Sequence, residues 1–178
     1  MPNGPYSIEV DLKTPEQLYN SLDPSPFHER DLDHDAEEFI VSWAQEHPRD
    51  DDLHLVIHLA RPPADAAQTP AKVKMSVQHY FDYRAGMLWR EFHQLMREGR
   101  SALVIGLLFM VTCELAALIL FKGDLPLLIV TREGLTILGW VAMWRPIEIY
   151  LYRWWPLLGK RRLYQRLARM EVEVRCAT

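Results

Sequence analysis

Apolar positions change their spacing as this chain proceeds, and each change marks an element. Between Tyr6 and Leu12 they alternate, with Ile8, Val10 and Leu12 set against Ser7, Glu9 and Asp11. That is the period of a strand with one face buried. Thr14-Pro15-Glu16-Gln17 opens a short helix: Thr14 can cap it, Pro15 suits its first position, and Gln17 completes a capping box. Residues 21–33, with Pro24 and Pro26, read as an ordered loop. From about Asp35 to His47, Ala36, Phe39, Ile40, Trp43 and Ala44 form a helical stripe, with Asp35 and Glu38 spaced as a second capping box. Arg49–Asp52 is a solvated turn, after which Leu53, Leu55, Ile57 and Leu59 point inward from a second strand.

Residues 61–70 (RPPADAAQTP) form a proline-rich linker. A long helix starts near Ala71, where Val73, Val77, Tyr80, Phe81, Met87, Leu88, Phe92 and Leu95 recur at helical spacing. This stripe needs a cover, either the head domain or another copy. The polar face then fades. Ser101–Phe121 and Leu125–Trp144 are each about as long as the ~20 residues that cross a bilayer. Only Lys122, Gly123 and Asp124 separate them.

Reversal at Gly123 sets residues of equal depth. Glu114 is level with Arg132, Gly106 with Trp140, Ala102 with Trp144, and Gly139 with Leu107. Small residues facing large ones let lipid-embedded helices approach closely. Glu114 and Arg132 lie roughly 10 Å from the outer ends of their spans at 1.5 Å per residue. The pattern predicts an intramembrane ion pair between them that holds the hairpin's register; an ion or proton relay is the functional reading of the same pair. Glu133 lies beside Arg132 as a further charge. A rival register runs the second span from Gly134 to about Leu158, placing Arg132 at the outer surface and Arg145 with Glu148 inside. The charge pairing favours the first.

Beyond Trp144, Pro146 is expected to kink or end the helix. Tyr150, Tyr152, Trp154 and Trp155 suit the headgroup zone. A helix over Leu157–Met170 follows, and Met170–Arg175 alternates through Val172 and Val174 as a third strand returning to the first two. The expected fold is an α+β membrane protein. Its parts are a small cytoplasmic α+β domain (1–60, about three strands) closed by the N- and C-terminal strands, a helical stem (71–100), a two-helix transmembrane hairpin (101–144), and an interfacial, basic segment (145–178).

Charge sharpens the picture. Residues 1–69 hold fifteen Asp and Glu against four Lys and Arg, whereas residues 70–178 hold nine against sixteen, so the whole-chain charge of −4 conceals an acidic head and a basic collar. Eleven basic residues flank the paired spans on the side of the chain ends, against Lys122 alone in the turn. By the positive-inside rule both termini face the cytoplasm, in an inner, plasma-membrane location. The first hundred residues lack a basic start followed by an apolar core, so no secretory leader is expected. Cys113 lies within the first span and Cys176 near the chain's end, without Cys-x-x-Cys spacing, so neither a disulfide nor a zinc site is expected.

Candidate chemistry is sparse. His28, Glu29, Arg30 and Asp31 concentrate acid–base groups on one loop beside Phe27; capping and surface pairing are the plainer account of them. His54 and His58 on one strand stand some 13 Å apart, too far to share a metal, and flank Val56 on a partly exposed face. Lys160, Arg161, Arg162, Arg166 and Arg169, next to a span, are matched to anionic lipid headgroups. Nucleic acid as a partner would need stacking aromatics or a known module, and neither is present. No catalytic constellation, cofactor motif or metal-ligand spacing is evident.

Asp23-Pro24-Ser25-Pro26-Phe27, Asp31-Leu32-Asp33 with Ala36-Glu37-Glu38-Phe39-Ile40, and Trp144-Arg145-Pro146-Ile147-Glu148-Ile149-Tyr150 resemble segments of bacterial inner-membrane proteins that pair a cytosolic domain with a two-helix hairpin. The resemblance implies topology and no activity. The expected function is that of a non-enzymatic membrane-anchored scaffold working through protein contacts, as a homo-oligomer or beside another protein. A transport or channel subunit using Glu114 and Arg132 is the first alternative, and a membrane-tethered enzyme centred on the 27–31 loop the second.

Overall fold

The computed structural model describes residues 6–24, 26, 30–46, 52–60, 69–120, 123 and 125–176. The chain is mostly helical with one small sheet. In order it forms β1 (Tyr6–Leu12), a 3-10 turn (Pro15–Leu18), α1 (His34–Glu46), β2 (Leu53–Leu59), α2 (Thr69–Leu120), α3 (Pro126–Ala142), α4 (Trp144–Glu148), a π turn (Ile149–Arg153), α5 (Trp154–Arg169) and β3 (Glu171–Cys176). Two compact units result: residues 1–88 with 159–178, and residues 89–158. The anticipated stem is therefore shared between the units, and the basic residues of α5 belong to the unit that contains the sheet.

In the first unit the strands stand in the order β1-β2-β3. Both pairs are parallel, because each strand-to-strand path passes through helices. The third strand does return to the first two, but it pairs with β2, so the N- and C-terminal strands are the two edges. Rows of residues share a face: Ile8–Leu55–Val172 and Val10–Ile57–Val174 point one way, and Ser7–His54–Glu171, Glu9–Val56–Glu173 and Asp11–His58–Arg175 the other. Ile40 and Ala44 of α1, Val73, Val77 and Phe81 of α2 and Leu167 of α5 cover the first face and complete the core with Leu18, Tyr19 and Leu32. The stripe at the start of α2 is thus buried by its own head domain.

Helix starts differ from the expected caps. Asp33, rather than Asp35, caps α1: its Oδ1 accepts from the Asp35 N–H at 3.1 Å. Thr14 makes no side-chain cap; Gln17 Oε1 instead accepts from the Lys13 N–H at 2.8 Å, tying the turn back to the end of β1.

In the second unit, α2 and α3 run antiparallel with a seam of small residues. A Cβ on Gly106 would stand 2.9 Å from the Ala142 carbonyl oxygen, and one on Gly139 3.3 Å from the Met110 Cα. The seam continues to Gly99, where a Cβ would meet Ile149 at 2.9 Å. Close approach at Gly106 and Gly139 follows the expectation, but the register does not. Gly106 lies against Ala142 and Met143 rather than Trp140, and Gly139 against Met110 and Cys113 rather than Leu107. Cys113 is a free, buried thiol.

Pro146 explains the break between α3 and α4. It has no N–H for the carbonyl four residues back, so α3 stops at Ala142 and helical geometry resumes at Trp144, with Met143 itself still helical (φ −78°, ψ −11°). The freed Ala142 carbonyl is the one that abuts Gly106. The aromatic segment after Pro146 is helical. It contains the π turn, where one carbonyl loses its regular amide partner, and Trp154 Nε1–H donates to the Tyr150 carbonyl at 2.8 Å.

Candidate functional site

The polar face of the sheet gathers carboxylates, imidazoles and a guanidinium. Parallel strands place Glu9, Asp11, Glu171, Glu173 and Arg175 on it around His54 and His58 of the central strand. Four carboxylates meet one guanidinium. His54 Nε2 lies 3.8 Å from Glu171 Oε2, and His58 Nε2 lies 3.6 Å from Glu9 Oε2. Val56, between the two histidines on β2, is 2% exposed. Arg175 grips Glu173 with both Nε (2.9 Å) and Nη2 (3.0 Å). Those hydrogen bonds hold the Glu173 carboxyl below, and the Arg175 guanidinium above, their ordinary values.

All three strands end on the same side, and there an open cleft of about 760 Å³ is lined by Asp11, Lys13, Gln17, His58, Ala60 and Arg175 among the described residues. In open α/β sheets the carboxyl ends of strands are where ligands settle. Both signs of charge converge on this cleft, which suits a polar ligand or the polar side chains of a partner. Among the described residues no group of three potential metal ligands converges.

A second constellation, which the sequence pattern does not single out, lies in the core of the same unit. Glu37 of α1 is 7% exposed. It accepts from Tyr80 OH (2.6 Å) and Tyr164 OH (2.7 Å), and from Arg84 through Nε (3.1 Å) and Nη2 (3.0 Å). Arg84 also lies over the Tyr164 ring, 5.8 Å from its centroid. Burial alone would raise the Glu37 pKa, but the two phenols and the guanidinium outweigh it and hold the carboxyl below the usual range. Burial and the Glu37 charge push Tyr164 up to about 12 and Tyr80 higher still. A carboxylate occupied by four donor groups is not a free base. Its role is to tie α1, α2 and α5 together. The only sequence signal was Glu37 one helical step from the apolar stripe.

The charges expected to pair between the long helices do not pair. Glu114 and Arg132 are both exposed, and no ion pair joins them among the described residues. Glu114 follows Cys113, which faces the seam, and so projects from its flank. Glu133 is exposed as well. Arg145 and Glu148 do pair, at 3.2 Å, as neighbours one turn apart on α4. On α5, Leu163, Tyr164, Leu167 and Ala168 face the core. Lys160, Arg162 and Arg169 are exposed, and Arg161 and Arg166 are half-buried.

Of the acid–base loop, His28 and Glu29 lie outside the described residues, as do Phe27, His47, the linker to residue 68, and Lys122 and Asp124. Arg30 is half-buried; Asp31 is exposed, and its N–H donates to Asp23 Oδ2 at 2.8 Å. The loop's anchor is backbone pairing, with the Asn20 N–H donating to the Asp31 carbonyl and the Asp33 N–H to the Leu18 carbonyl, each at 2.9 Å. No family model, curated protein or solved structure matches the chain.

Proposed function

We propose that this chain is a membrane-anchored accessory protein of a bacterial inner membrane, acting through protein contacts of its sheet-bearing unit. One observation carries the anchor. Two helices are long and apolar enough to cross a bilayer, and only 17% and 6% of their most apolar windows are buried within the protein. Leu108, Leu118, Leu127, Val130 and Val141 are all more than half exposed. An apolar surface this continuous requires an apolar surrounding, and lipid is the surrounding whose thickness fits. With α2 and α3 as a transmembrane hairpin, the excess of Lys and Arg beside the chain ends puts both termini in the cytoplasm. Lys160, Arg162 and Arg169 then provide exposed cations for anionic lipid headgroups.

The contact role is supported by the open polar face of the sheet and the cleft at its strand ends. Alkaline carbonate extraction of native membranes tests the anchor, and recovery of the chain in the supernatant would refute it. Mass measurement after mild solubilisation tests the contact role: an assembly larger than one chain is expected, and a stable monomer with no co-purifying protein would refute it.

A transport or channel role has one observation in its favour. Glu114 and Arg132 stand exposed within the apolar belt, available to a neighbouring helix or a polar pathway. Replacing both with leucine discriminates. Assembly retained with transport lost supports this reading; assembly and cellular function both retained supports the accessory role.

A further inference from the structure

β3 is an outer strand. Among the described residues it pairs with β2 alone, so the N–H and C=O groups along its other side are not used by a strand. β1 is the opposite edge, and the two differ in how charge is ordered along them. The polar-face side chains of β3 read Glu171, Glu173, Arg175; those of β1 read Ser7, Glu9, Asp11.

Two copies of β3 meeting antiparallel about Glu173 set Glu171 opposite Arg175 of the second copy, and by symmetry do so twice. On the core face they set Val172 opposite Val174. At the axis each Glu173 is already gripped by its own Arg175, whose guanidinium has further N–H groups to offer Glu171 of the second copy. The same operation on β1 about Glu9 brings Glu9 against Glu9 and Asp11 against Ser7; the cation that continues its row, Lys13, lies beyond the strand's end at Leu12, where its N–H is held by Gln17. Pairing β1 of one copy with β3 of another gathers Glu9 and Asp11 beside Glu171 and Glu173. Of the two edges, only β3 carries its complementary acid and base both within the strand.

We infer that two copies join through β3 into one six-stranded sheet, β1-β2-β3-β3-β2-β1. This rests on the proposed contact role and names its partner as a second copy. Six residues of strand make a small interface; confinement to a membrane supplies the effective concentration that such an interface lacks in solution.

The test uses the full chain in phosphatidylethanolamine–phosphatidylglycerol vesicles and, in parallel, in mild detergent. In a Cys176→Ser background, Glu173→Cys should oxidise to a disulfide-linked dimer while Glu9→Cys should not. Dimer mass gives the second readout. Arg175→Glu or Glu171→Arg alone should weaken association about tenfold, and the two together should restore it. Rescue by the double exchange separates pairing across the edge from simple damage to the strand. Equal linkage at positions 9 and 173, no linkage at 173, or a double exchange no better than the single ones would overturn the inference. A linked dimer in detergent from a chain that carbonate extracts would uphold the edge and refute the anchor alone.

Discussion

Glu37 accepts from two phenols and a guanidinium, so its ionised state is part of the folded structure. Its carboxyl titrates below the usual range. The stability it contributes is therefore present above the unfolded carboxyl value and lost as pH falls through the folded one. Tyr164 and Tyr19 behave in the opposite direction. Burial pushes both up to about 12, so the stability they contribute is complete below pH 10 and declines as pH rises from 10 through about 12. Circular dichroism of the chain in mild detergent should show a melting temperature that falls at both extremes. Tyr164→Phe should lower it at neutral pH by removing a hydrogen bond to a charge, at a cost of about 1.5–3 kcal/mol, and should reduce the decline in alkali. Glycines divide by the same kind of reasoning. Gly106→Ala pushes a methyl into the Ala142 carbonyl and should separate α2 from α3, lowering the melting temperature. Nothing lies within 4 Å of a Cβ on Gly159, so Gly159→Ala should raise stability by about 0.5–1 kcal/mol through helix propensity. Gly123, with φ +139°, occupies backbone space that favours glycine, and Gly123→Ala is expected to loosen the turn before α3.

Among the elements, α2 carries two kinds of surface along 52 residues. Near its start, Phe81 is fully buried in the core of the sheet-bearing unit; in its second half, Phe109 is exposed. Phe81→Ala should cost about 3–5 kcal/mol and unfold the head domain, whereas Phe109→Ala should leave the melting temperature in detergent nearly unchanged. The helix from α3 through α5 is shaped by prolines. Pro146 ends α3 four residues upstream, and the π turn that follows is stitched by Trp154 to the Tyr150 carbonyl. A hairpin register set by small residues, rather than by an ion pair, is the element-scale consequence. Glu114→Leu together with Arg132→Leu should preserve the α2–α3 pairing and leave the melting temperature in mild detergent nearly unchanged, where Gly106→Ala lowers it.

At the scale of the whole molecule, a water-compatible unit and an apolar unit share one continuous helix. The acidic head and basic collar seen in composition sort differently in three dimensions. Basic α5 joins acidic β1 and α1 in the first unit, and β3 carries both signs. Mixed charge on the sheet is what makes its β3 edge complementary to itself. Raising salt should therefore weaken the dimer while leaving membrane retention after carbonate extraction unchanged, since exposed ion pairs are screened and apolar burial is not.

Periodicity alone was enough to locate the strands to within a residue, the long α2 and the apolar hairpin, because alternation and helical spacing are local properties written directly in side-chain order. Pro146 announced its break for the same reason. The parallel order with β2 at the centre, the four donor groups around Glu37, the cleft at the strand ends and the shifted helix register were not legible. Each depends on which distant segments meet and at what rotation. Glu114 and Arg132 show the difference most sharply: their spacing from the turn placed them near one depth, but the small-residue seam set the rotation and register, and the two charges did not meet.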